Sequence, residues 1–123
     1  MKVTGKMLDR YLAVLTLSLA AGMFATRAQA EETKTIKGEV VDLMCYLDHG
    51  AKGEKHAACA TKCIKSGGPV GILTSDDQVY LIIGEHKPMN DELASYAAKI
   101  ITVKGKVVER HGMKMIENAE IEK

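Results

Sequence analysis

Five side chains that bind soft metals fall within nineteen residues: Cys45, His49, His56, Cys59 and Cys63, spaced C-x3-H-x6-H-x2-C-x3-C and including every cysteine of the chain. Thiolate and imidazole select zinc and copper, whereas calcium and magnesium take oxygen ligands, so the donor set specifies a zinc or copper ion as its cofactor. At about 100° per residue, a helix from Glu54 would bring His56, Cys59 and Cys63 within roughly 60° of one another. Cys45 and His49 need only fold over that face to complete a Cys3His or Cys2His2 shell. Such a closed shell suits a structural metal or metal handling, because a catalytic zinc keeps a position open for water; catalysis is not implied. The same proximity also suits a disulfide. In an oxidising compartment a bridge would stabilise a small domain by about 2–4 kcal/mol and make it a stapled ligand- or protein-binding module without metal. One thiol would be left over, and a thiol–disulfide redox protein is the third reading.

Several other chemistries are excluded by spacing. Attachment of c-type haem needs C-x-x-C-H, but Cys63 follows Cys59 by four and precedes Ile64. Gly67-Gly68-Pro69-Val70-Gly71 lacks the lysine and hydroxyl of a P-loop, and neither G-x-S-x-G nor H-E-x-x-H occurs. His111, Met113 and Met115 could together attract Cu(I); the expectation is instead that the methionines fill core and that His111-Gly112 is a turn.

The array lies downstream of an export signal. Lys2, Lys6 and Arg10 form a positive start, Leu12 to Ala25 an apolar stretch too short to cross a bilayer, and Ala28-Gln29-Ala30 an A-x-A cleavage site. Residues 1–30 therefore read as a signal peptide and 31–123 as one domain, periplasmic or secreted, without a stable membrane anchor after cleavage. The signal takes four basic residues and one acidic with it, so 13 Lys and Arg remain against 15 Asp and Glu. That balance, with only Tyr46, Tyr80 and Tyr96 as aromatics, gives no reason to expect nucleic acid as a partner; a metal ion and a protein partner are the expected ones.

Apolar alternation then predicts the elements that position the ligands. A first strand over about 35–44, with Gly38 as a possible bulge, delivers Cys45, and residues 49–53 form a loop. A helix from Glu54 is stopped by Gly67-Gly68-Pro69. A hairpin over 70–83 turns at Ser75-Asp76-Asp77, and a second helix to Lys99 begins after a turn in which Asn90 is the N-cap. Fourth and fifth strands run from Ile101 and from Met113 to Ile121. The order predicts a mainly β fold, a five-stranded OB-like Greek-key barrel with a short helix in the first interstrand loop and a second between strands three and four. Its first loop, about 45–68, carries the Cys/His segment.

Two resemblances bear on these residues. The Cys59-x3-Cys63 pair resembles the copper-carrying motif of exported cytochrome oxidase assembly proteins, which implies two thiolates and a separate histidine, here His56 or His49. Residues 36–121 are also similar to small exported bacterial proteins of unassigned function. The resemblance rests on Met44, Cys45, Leu47, His49 and Gly50, on His56, Cys59 and Cys63, and on Gly67 or Gly68 with Pro69-Val70-Gly71-Ile72-Leu73. It implies a shared domain and no particular activity.

Overall fold

The computed structural model describes residues 32–123; the predicted signal peptide lies outside them. Strand β1 (Thr33–Asp42) closes the sheet on itself, pairing antiparallel with β4 (Ile100–Arg110) along Thr33–Glu39 and with β2 (Val70–Leu73) along Glu39–Asp42. With β3 (Val79–Ile82) and β5 (Met113–Ile121), the order is a closed barrel β1-β2-β3-β5-β4 in which only β3 and β5 run parallel. This is the five-stranded OB-like barrel that the element order predicts.

Gly38 is not a bulge. The β1–β4 register runs unbroken through the Gly38–Ile101 pair, and the glycine is needed because a Cβ there would lie 2.5 Å from the Leu73 carbonyl oxygen. The ladder shifts instead between Lys104 and Lys106, around Gly105.

Inside the barrel, Val40, Ile72, Ile82, Val103 and Ile116 form one buried cluster, joined by Ile64 and Leu93 from two short helices. Burying each side chain of this size contributes roughly 1.5–3 kcal/mol, so the helices are held by the same apolar force as the strands. Helix α2 (Ala57–Lys65), preceded by a 3-10 turn over Glu54–His56, supplies Ile64. Helix α3 (Asn90–Leu93), continued by a 3-10 turn over Ala94–Tyr96, supplies Leu93 and ends short of the predicted Lys99. Asn90 is not the N-cap, a position held by Met89. Its side-chain amide donates to the carbonyls of Ile64 (2.8 Å) and Gly68 (2.7 Å), so it serves the end of α2 rather than the start of its own helix.

Residues 43–49 depart from the predicted strand and loop. β1 stops at Asp42, and Leu43–His49 form helix α1. The Asp42 carboxylate accepts from the backbone N–H of Met44 (3.3 Å) and Cys45 (3.2 Å), satisfying donors that an uncapped helix start would leave open. Gly50, at φ 71°, ends the helix in a left-handed cap. Leu43 is buried with Val41 and Leu73, and Tyr46, Val79 and Leu81 pack against them, which seats α1 on the outside of the sheet. Met113 also differs from expectation: it is 75% exposed and so fills no core, although His111-Gly112 is the predicted turn, at φ 51° and 83°. Among the described residues, no helix is long and apolar enough to cross a membrane.

Candidate metal centre

Two helices bring the three cysteines together. Cys45 lies on α1, while Cys59 and Cys63 stand one turn apart on α2, so their side chains share a face. The connection between the helices is short because Gly50 and Gly53, at φ 71° and 77°, take left-handed conformations that let the chain double back. It is tied down by the Ala51 N–H donating to the Cys45 carbonyl (3.4 Å) and by the Gly53 N–H donating to the Glu39 carboxylate. At the other end, the Gly68 N–H bonds the Cys63 carbonyl at 3.0 Å.

The result is a cluster in which the three sulfurs all lie within 4.8 Å of one another, close enough to hold a metal ion. All three thiols are free; Cys59 is exposed, and Cys45 and Cys63 are half-buried. A tetrahedral ion with metal–sulfur bonds of about 2.3 Å sets its sulfurs roughly 3.8 Å apart, so side-chain adjustments on the order of 1 Å would complete three bonds.

The histidines sit differently from the prediction. His56 is the N-cap of α2, at φ −103° and ψ 1°, so it does not continue the helical face of Cys59 and Cys63. Instead it lines a cavity of about 10 Å³, room for roughly one water-sized sphere, together with Cys45, Cys59 and Asp42. His49, at the end of α1, has a side chain 55% exposed and pairs through Nδ1 with the Asp48 carboxylate at 3.1 Å. The two rings have centroids 6.5 Å apart and planes tilted by 60°. Neither imidazole belongs to the group of mutually close donors, which consists of the three sulfurs.

Asp42 is the residue that spacing of soft ligands could not reveal. It is 2% exposed, the one buried charged side chain found among the described residues, and it sits directly against the cluster. The Cys45 thiol donates to its carboxylate; that hydrogen bond, then burial, then the negative charge of Asp42 push the thiol up to about 12 from an ordinary 9.0. Burial and the Asp42 charge raise Cys63 as well. A sequence signal did exist: an aspartate two and three residues before backbone donors, at the junction of strand and helix, is an N-cap pattern.

A pH dependence follows from these shifts. Cys45 and Cys63 are neutral thiols around pH 7, so binding a metal displaces their protons and the apparent affinity rises with pH, by about tenfold per unit for each proton released. The metal-free domain behaves in the opposite sense. A thiol whose folded value is raised stabilises the fold below its unfolded value and loses that contribution between about pH 9 and 12. Titrating affinity with a chromophoric chelator from pH 6 to 8 checks the first; a pH-independent affinity would show that the thiols do not ligate.

Comparison with family models, with curated proteins and with solved structures finds no match for this chain.

Proposed function

We propose that this is an exported domain that holds one zinc or copper ion on Cys45, Cys59 and Cys63, with His56 as the fourth ligand, either as a structural centre or to handle the metal. The observation that carries the reading is the convergence of three free thiols from two separate helices within 4.8 Å. Support for His56 comes from the small cavity it shares with Cys45 and Cys59, which His49 does not line. The ion would supply cross-linking of α1 to α2, and its positive charge would offset the thiolates and the Asp42 carboxylate. Export rests on the signal-like residues 1–30 and on the resemblance to small exported proteins.

Elemental analysis of protein purified from its native compartment, combined with intact mass under non-reducing conditions, tests the proposal. The expected result is close to one zinc or copper ion per chain with all three thiols reduced. Metal-free protein about two mass units lighter than the reduced chain would replace it with the disulfide-stapled module.

A further inference from the structure

His49 stands apart from the sulfur cluster but pairs with a carboxylate and lies near the ring of His56. At 3.1 Å the Asp48 carboxylate is placed to accept the Nδ1–H of the ring, and in that tautomer the lone pair is on Nε2. This carboxylate–imidazole pairing is the arrangement that fixes the tautomer and ring direction of metal-ligating histidines. Asp48 and His49 are both exposed, so the ring is accessible to an incoming ion.

The ring of His56 is 6.5 Å away, centroid to centroid. Two imidazoles sharing one ion through bonds of about 2.0–2.1 Å have centroids roughly 5 Å apart in a tetrahedral arrangement and roughly 6.4 Å apart in a linear one. The observed separation is at the wide limit, and rotation of the exposed His49 side chain closes it. His56 is half-buried and lines the cavity with Cys45 and Cys59. Towards Cys45 the donors run from the exposed His49 to the half-buried His56 and then to the half-buried thiol, while Cys59 meets solvent directly.

We infer that His49, held by Asp48, forms with His56 an outer two-imidazole station through which Zn²⁺ or Cu⁺ enters and leaves the cysteine cluster. This rests on the soft-metal reading of the three cysteines. Each step is a ligand exchange without change of oxidation state. His49 Nε2 replaces a water on the incoming ion, and His56 replaces a second. Cys45 then displaces His49, Cys59 and Cys63 displace the two remaining waters, and the three thiol protons pass to solvent, which leaves His56 and three thiolates on the ion. Because His49 binds only in passage, it lowers the barrier in both directions and leaves the equilibrium affinity unchanged.

The test uses the mature chain and Zn²⁺, with loading and chelator-driven unloading followed by stopped flow and Kd measured by competition. His49→Ala is expected to slow loading and unloading by the same factor, about tenfold, with Kd within about twofold of wild type. Asp48→Asn is expected to slow both by about threefold, because the neutral amide no longer fixes the tautomer. His56→Ala is expected to slow exchange and raise Kd together. Both His49 and Asp48 are exposed, so neither substitution threatens the fold. Unchanged rates in His49→Ala would overturn the inference, and so would a 100-fold rise in its Kd, which would make His49 a ligand at equilibrium. Wild-type protein that takes up neither Zn²⁺ nor Cu⁺ would overturn the soft-metal reading itself, an outcome seen before any variant is made.

Discussion

Cys59→Ser and Cys63→Ser are each expected to weaken metal binding by roughly 100- to 1,000-fold. Structural zinc sites bind with about 10–16 kcal/mol over four ligands, so one ligand accounts for about 2.5–4 kcal/mol, and a hydroxyl is a far poorer soft-metal donor than a thiolate. Cys45→Ser should fall in the same range despite lying on a different helix, since its sulfur belongs to the same 4.8 Å group. His111→Ala should leave affinity unaltered, because His111 lies in the β4–β5 turn. Competition against a chelator of known affinity measures all four. Wild-type affinity in the Cys59 and Cys63 variants would end the metal reading.

Ile64→Ala should have the largest effect on stability. Ile64 is 0% exposed and follows Cys63 directly, with its side chain in the barrel cluster while the cysteine joins the sulfur group. Truncating a buried isoleucine to alanine costs about 2–5 kcal/mol, a large part of the 5–15 kcal/mol that holds a typical domain. In chelator, urea unfolding should show that loss in full. Cys59→Ser, at an exposed position, should stay within about 0.5 kcal/mol of wild type under the same conditions. With metal at 1,000 times Kd, the folded state should recover about 4 kcal/mol in Ile64→Ala and much less in Cys59→Ser. Equal stability of Ile64→Ala and wild type in chelator would mean that α2 is not seated by the core.

The two effects are separable because α2 has two faces with different tasks. Ile64 and Ala60 bury against the barrel, and Thr61 Oγ1 bonds the Ala57 carbonyl (2.8 Å) and reaches that of Ala94 (3.5 Å), tying the helix to the turn after α3. Cys59 and Cys63 are left on the side towards α1. Position of the thiols is thus set by apolar burial before any ion binds, which favours a preorganised centre over one that the metal must fold.

Read from residue order alone, the barrel and the cysteine cluster were both legible. Ile101, Val103 and Val107 alternate along Ile100–Arg110, and such alternation, with turn residues between runs, determines strands because side chains on a strand alternate faces, while the position of the helices among five strands leaves few ways to close a sheet; on β3 the barrel face is that of Ile82 and not that of Val79 and Leu81. The i, i+4 spacing of Cys59 and Cys63 determines a shared helix face wherever that helix packs. What the sequence could not decide was everything that depends on how the first strand ends. Asp42 turns the chain into α1 because its carboxylate caps two backbone donors and Leu43 finds an apolar seat on the outside of the sheet; the cap is local, but that seat, against Leu73, Val79 and Leu81, exists only once β1, β2 and β3 have paired. The same turn moves Cys45 from a strand end to a helix and places a buried carboxylate beside it. Local spacing names the donors, but tertiary packing chooses their directions, because whether an imidazole meets a sulfur depends on a backbone angle at one residue and not on the number of residues between them.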